Sequence, residues 1–142
     1  MKTEFVKPAQ VERKWFVIDA EGKSLGRVAA RAVSIVRGKE KAAYAPHQEV
    51  GDYVIVVNVD KIVITGQKAQ QKTYYHHTGY PGGLKSINYE KVIVKHPEFP
   101  LQNAVKGMLP KGPLGRKLLK NVKIYTGLDH PHAAQAPQFI EL

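Results

Sequence analysis

Residues 15–38, WFVIDAEGKSLGRVAARAVSIVRG, decide the fold, and residues 53–59, YVIVVNV, complete the decision. Trp15–Asp19 concentrates aromatic and β-branched side chains, which suit a pleated, packed surface, so it reads as a first strand. The turn-like AEGKS follows, and from Leu25 the apolar period changes. Leu25, Val28, Ala29, Ala32, Val33 and Val36 fall at i, i+3, i+4, i+7, i+8 and i+11, one stripe along a helix. Arg27, Arg31 and Arg37 lie off that stripe. Ser24 occupies the N-cap position and Gly38, followed by Lys39, the C-terminal stop. Tyr53–Val59 is nearly all apolar and of strand length, as expected of a central strand buried on both faces of a parallel sheet. Strand, helix, strand in this order is a βαβ unit, and its crossover is right-handed.

Outward from this unit, Val63–Thr65 and Thr73–His77 read as short extended segments and Val122–Tyr125 as a last strand. Leu101, Ala104, Val105, Met108 and Leu109 repeat at helical spacing, with Gln102, Asn103 and Lys106 facing away. Pro113 opens a second short helix whose polar residues are Arg116, Lys117 and Lys120. Tyr89–His96 reads both ways. Tyr89, Val92, Ile93 and His96 fit a helix, while Val92-Ile93-Val94 fits a strand. No repeat, low-complexity tract or Pro/Gly/Ser-rich linker divides the chain. The expectation is one α/β domain over residues 1–142, with an N-terminal extension at residues 1–14 and a basic, helical second half.

Composition narrows the function. At 142 residues with 43% hydrophobic and 24% charged residues, the chain has the makeup of an ordinary folded domain. It has no cysteine, which removes disulfides, thiolate metal sites and cysteine nucleophiles. No window approaches a membrane span, and the N-terminal residues carry no apolar signal region, so a soluble, intracellular protein is expected. The formal net charge is +10, from 22 Lys and Arg against 12 Asp and Glu. Residues 61–123 carry the whole excess, with 12 bases and only Glu90 and Glu98 as acids. Lys and Arg often merely solvate helix faces, but an imbalance this concentrated points to a polyanionic partner, nucleic acid first.

Three catalytic or metal patterns have simpler explanations. Gly22-Lys23-Ser24-Leu25-Gly26 matches G-x-S-x-G between a strand and a helix, with Asp52, Asp129, His130 and His132 downstream in triad order. Only 14 residues precede the strand, too few for the earlier strands of a hydrolase, and Ser24 already has a capping role. Gly-Lys-Ser also ends a P-loop, but Val17 stands where its first glycine belongs. Of the six histidines, His76 and His77 point to opposite faces of a strand, and no carboxylate cluster accompanies His130 and His132. No catalytic residue, metal, cofactor or small-molecule substrate is expected. A membrane-surface role is disfavoured too, because no helix pairs an aromatic apolar face with a Lys-rich one.

Two stretches suit RNA. Residues 68–85 interleave Lys68, Lys72 and Lys85 with Tyr74, Tyr75, His76, His77 and Tyr80 around a loop containing Gly82 and Gly83, with Tyr75 alone of these left out of the candidate set. Tyr and His rings stack on splayed bases, lysines neutralise phosphates, and glycines admit close backbone approach. A tight turn between two strands would account for the same glycines. Residues 106–120 join two helices through a Gly/Pro elbow and offer Lys106, Lys111, Arg116, Lys117 and Lys120. A plain surface helical hairpin would look the same from sequence. Arg27, Arg31, Arg37 and Lys39 complete the candidate RNA-binding set.

The chain resembles the ribosomal protein L13 family of the large subunit over nearly its whole length. The resemblance rests on Trp15 with Asp19-Ala20, Leu25-Gly26-Arg27, Gly38-Lys39, Gly51-Asp52 and Asn58. It continues through Thr65-Gly66 with Lys68, Lys72, Tyr74 and His77-Thr78-Gly79-Tyr80-Pro81-Gly82-Gly83. Its most distinctive stretch is Ala104-Val105-Lys106-Gly107-Met108-Leu109-Pro110, followed by Leu114-Gly115-Arg116 and by His130-Pro131-His132 with Gln135 and Pro137. Glu49 departs from the family, which more often has Asp there. The resemblance implies a three-layer α/β/α fold with a small, mostly parallel four-stranded sheet, and a helix at Tyr89–His96. It further implies a non-catalytic, cytoplasmic ribosomal constituent of bacterial size. Its partners would be 23S-type rRNA, bound early in assembly, and neighbouring large-subunit proteins.

Overall fold

The computed structural model describes residues 6–142. In chain order its elements are β1 (Trp15–Asp19), α1 (Leu25–Arg37), β2 (Tyr53–Val57), α2 (Lys68–Gln71), β3 (Thr73–His77) and β4 (Leu84–Asn88). There follow α3 (Tyr89–Lys95), α4 (Phe99–Met108), α5 (Pro113–Leu119), β5 (Val122–Ile124) and β6 (Gln138–Ile140). The main sheet runs β5-β2-β1-β6, and every pairing in it is parallel, so it is wholly rather than mostly parallel. Trp15 sits opposite Tyr53 and Asp19 opposite Val57. β3 and β4 form a separate antiparallel hairpin.

Side chains alternate across a strand, so β2 feeds two layers. Val54 and Val56 join Ile18, Val122, the apolar stripe of α1, and Leu101, Val105 and Leu118 from α4 and α5 in one core. Ile55 and Val57, of opposite parity, are buried on the other face. Handedness explains what covers each side. The β1→β2 and β2→β5 crossovers step in the same direction, so right-handed connections share a face. The β5→β6 return steps the other way and crosses the opposite face. Contacts there agree: the His132 ring lies 5.0 Å from that of Trp15, which stacks on Tyr53 at 4.5 Å. The third layer is therefore this C-terminal connection, whose regular structure is a single 3-10 turn, Ala133–Gln135.

Most expected elements are present, with instructive differences. β2 ends at Val57, short of Val59, because Asn58 turns into the left-handed region at φ 55°. A short polar side chain tolerates that backbone, and Asn58 uses it: Nδ2 donates to Asp19 Oδ1 at 2.9 Å. Val63–Thr65 forms no strand; Val63 makes one parallel bridge to Ser24. Ser24 does precede α1, and its carbonyl accepts the Val28 N–H at 3.1 Å, but its hydroxyl makes no capping bond. Tyr89–Lys95 is helical, burying Tyr89 and Val92 three apart while Val94 is 83% exposed. β6 and the one-turn α2 are not foreseen from sequence. Residues 1–5 of the expected extension lie outside the described residues; its last residue, Lys14, donates its N–H to Asp52 Oδ1 at 2.8 Å.

Gly38 ends α1 as expected, at φ 74°, with its N–H on Ile35 O at 2.9 Å and that of Lys39 on Ser34 O at 3.1 Å. The chain then returns to β2 by passing Gly51 directly under this end: a Cβ on Gly51 would lie 1.7 Å from the Val36 carbonyl oxygen. Gly51→Ala must therefore push α1 off the sheet and destabilise the protein by about 3 kcal/mol or more. Gly26→Ala, in the same helix with open space around it, should stabilise by about 0.5–1 kcal/mol. Urea unfolding of the two variants checks this; shifts of the same sign would contradict it.

Candidate nucleic-acid interface

The second half of α4 stands between two basic hollows. The first, about 460 Å³, is floored by Leu25, Ile64, Ala104 and Met108 and also lined by Arg27, Lys68 and Lys72. Lys68 and Lys72 are four residues apart, one helical turn, and so project together. The backbone of Lys72 is pinned at both ends, its N–H on Lys68 O and its carbonyl accepting the Tyr89 N–H, each at 2.9 Å. Its ammonium sits 5.6 Å from the centre of the Tyr74 ring. Arg27, some forty residues earlier in the chain, joins this pair only through the fold. Ser24 also lines this hollow, with no histidine or carboxylate beside it in the lining. His132 instead bonds Tyr125 Oη through Nε2 at 2.8 Å, so among the described residues this lining brings the G-x-S-x-G serine no base.

The second hollow, about 290 Å³, collects Lys106, Lys111 and Arg116 around Leu109, Pro110 and Leu119. Its walls are pressed together: a Cβ on Gly115 would lie 1.8 Å from the Pro110 carbonyl oxygen. Lys117 does not face it. Its Nζ lies 3.6 Å from Glu49 Oε2, tying α5 to the loop before β2. Lys120 caps the far end of α5, outside the lining. The five expected bases thus divide into three that converge and two that do not.

The hairpin sorts its rings by alternation. Tyr74 pairs with Ile87, Tyr75 with Ser86, His76 with Lys85 and His77 with Leu84. Tyr74 is turned inward, edge-on to Phe99 at 5.4 Å, with its hydroxyl buried and unpartnered. Burial pushes that phenol's pKa up. It packs the hairpin against α4. Tyr75, part of the interleaved stretch but not of the candidate RNA-binding set, is 69% exposed, and Tyr80 at the tip is 76% exposed. The period of two along a strand was the signal that separates Tyr74 from Tyr75. His77 Nδ1 accepts the Gly79 N–H at 2.9 Å, so that face of its ring serves the loop. Gly82 and Gly83 also answer to the turn. Gly82, after Pro81, has φ 70°, as a type II turn requires, and Gly83 donates to Tyr80 O at 2.9 Å.

On α1, Arg31 is paired with Glu40. Arg37 donates to Tyr44 Oη at 3.0 Å and lies over that ring. Both fold the loop after α1 and do not stand free, whereas Arg27 and Lys39 are exposed. Several acids of the first half are engaged in the same way. Glu49 holds Arg13 at 3.1 Å and Asn121 Nδ2 at 2.7 Å; Asp52 holds Lys41 at 2.6 Å; Glu21 holds Lys61 at 3.0 Å. Among the described residues, Lys61 and Lys117 are the only bases of the 61–123 segment in ion pairs. The remaining bases there are open to an external anion.

Burial pushes the Glu49 carboxyl up, but the Asn121 hydrogen bond and the charges of Arg13 and Lys117 hold it below its ordinary value. The Glu21 backbone N–H and the Asn58 amide hold Asp19 below its own. With both folded-state pKa values lowered, the unfolded chain takes up protons first as pH falls. The stability these groups confer is complete above the ordinary carboxyl range and is lost as pH drops through and below about 4.5. Glu49→Gln should flatten the fall in urea midpoint between pH 5 and pH 3; an unchanged profile would contradict the assignment. Tyr74→Phe removes an unpartnered buried hydroxyl and should leave the melting temperature unchanged or raised, whereas a clear drop would show a missed partner.

The sequence pattern of the ribosomal protein L13 family matches residues 13–131. The large ribosomal subunit protein uL13 of Treponema denticola is 58% identical over 142 residues, covering all of both chains. That of Marinomonas sp. is likewise 58% identical, and that of Tolumonas auensis 56%, each again end to end. With the family pattern matched over most of the chain and identity at this level along the full length, the chain belongs to the ribosomal protein L13 family.

Proposed function

We propose that the two hollows flanking α4, together with the exposed side of the β3–β4 hairpin, form the surface by which this protein holds large-subunit, 23S-type rRNA. As a member of its family the chain is a structural, non-catalytic constituent of the large ribosomal subunit, and its place is the cytoplasmic ribosome. Residues 61–123 are the RNA-facing segment of a single domain, and binding helps early subunit assembly. The observation that carries the reading is the distribution of ion pairs. Four acids of the first half, Glu21, Glu40, Glu49 and Asp52, are matched to bases, while among the described residues Lys68, Lys72, Lys85, Lys106, Lys111 and Arg116 make no ion pair. Like charges at such density repel, and phosphates relieve that repulsion.

The mechanism is positional. Lys and Arg neutralise phosphates where RNA strands converge, and the packed sheet fixes the spacing between the two hollows. Tyr75 and Tyr80 offer faces to unstacked bases, with His76 and Lys85 paired on the other side of the hairpin. Tyr74, Arg31, Arg37, Lys117 and the turn glycines support this surface from within. Neighbouring large-subunit proteins have the remaining faces, and no cofactor, membrane or small-molecule substrate enters the account.

Most of the affinity is then electrostatic. With about six phosphates contacted, the log–log salt slope is roughly −4 to −5. Replacing Lys106, Lys111 and Arg116 together by Ala should lower the magnitude of that slope by about 2 to 3 and weaken binding at moderate salt. Filter binding of a large-subunit rRNA transcript over a salt series measures both. An unchanged slope would remove the second hollow from the interface.

A further inference from the structure

The first hollow differs from a merely basic surface because its floor is apolar. Met108 is 47% exposed and Val63 46%, and both line it beside Ile64 and Ala104. Its charged lining is Arg27, Lys68 and Lys72, with no acid. Its volume of about 460 Å³ falls in the range of small-molecule pockets. Duplex RNA presents a wide, shallow groove and a backbone, which lie across a surface; a concave apolar seat suits a base taken out of the stack.

We infer that this hollow seats one unstacked nucleotide of the bound RNA, its base against Met108, Ala104 and Ile64 and its phosphates toward Arg27, Lys68 and Lys72. The inference rests on the rRNA-binding reading above. The occupant is set by charge complementarity. An apolar protein side chain would satisfy the floor and leave three cations facing nothing, whereas a nucleotide brings an apolar face and an anion four to six bonds apart. The thioether of Met108 is soft and adaptable, and it packs against aromatic rings of differing shape, so the seat accepts a base without requiring one identity. The pinned backbone of Lys72, with its ammonium held over Tyr74, places one phosphate ligand before RNA arrives.

The test uses the full chain and a large-subunit rRNA transcript. Ala104→Phe fills the hollow without removing a charge, and Met108→Gln, at an exposed position, removes the apolar floor without changing the size of the side chain much. Each should weaken binding by about five- to tenfold, the lower end of the range for one lost base contact, at an unchanged salt slope. Lys68→Ala with Lys72→Ala should instead reduce the magnitude of the slope by about 1 to 2. In the wild-type complex a single-stranded base should be protected from dimethyl sulfate or carbodiimide, and that protection should be lost in both hollow variants. Wild-type affinity and an unchanged protection pattern in both would overturn the inference while leaving the rRNA reading intact. So would variants that keep rRNA affinity and protection yet are lost from assembled subunits, because the occupant would then be a protein segment. A wild-type chain that does not bind the transcript at all would overturn the underlying reading as well.

Discussion

Burial of β2 on both faces is the constraint from which the rest of the molecule follows. Val54, Ile55, Val56 and Val57 are all within 2% of complete burial, so no side of this strand meets water. Parallel neighbours cannot be joined by hairpins, and each must be reached by a crossover that covers a face. One face receives α1, which comes close enough that only a glycine at position 51 lets the chain return. The other receives the C-terminal connection, seated through Trp15, His132 and Tyr125. The crossover from β2 to β5 spans residues 58–121 and contains α2 through α5 and the hairpin. The basic segment is therefore a single topological unit, one long crossover carried on the helical face of the sheet.

This placement gives the charge asymmetry its meaning. In the first half, oppositely charged residues close the fold on itself: Arg13 and Asn121 converge on Glu49, Lys41 on Asp52, and Arg31 on Glu40. In the crossover, only Lys61 and Lys117 among the described residues find a carboxylate, and both do so by reaching back to the first half. The core needs nothing from outside. The crossover carries unmatched cations gathered in two hollows on either side of α4, and its stability and its affinity for a polyanion are two expressions of one repulsion.

Much of this was legible in the amino-acid sequence. β1, α1 and β2 declare themselves by a change of apolar period from strand to helix and back, since both faces or one stripe must be buried. Tyr89–Lys95 was ambiguous locally because β-branched residues dominate it, and packing of Tyr89 and Val92 decides the matter. β6 escaped notice because Gln138–Ile140 is three residues at a sheet edge, too short for a pattern. The interface was legible as a region and less so as a set of residues. Tyr74 and Tyr75 are interchangeable in composition, and only strand parity tells the anchor from the exposed ring. Arg31 and Arg37 share the polar face of α1 with Arg27, yet the loop after the helix supplies their partners. That Arg27 meets Lys68 and Lys72 is a property of the folded chain alone.

The central claim is that the bases of the crossover, joined by Arg27 and not by the other bases of the first half, meet the RNA. Lysine acetylation footprinting with and without bound large-subunit rRNA tests it most directly. The account predicts strong protection of Lys68, Lys72, Lys85, Lys106 and Lys111, with Lys14 and Lys23 reacting at the same rate in both states. Equal protection across both sets, or protection confined to the first half, would contradict it.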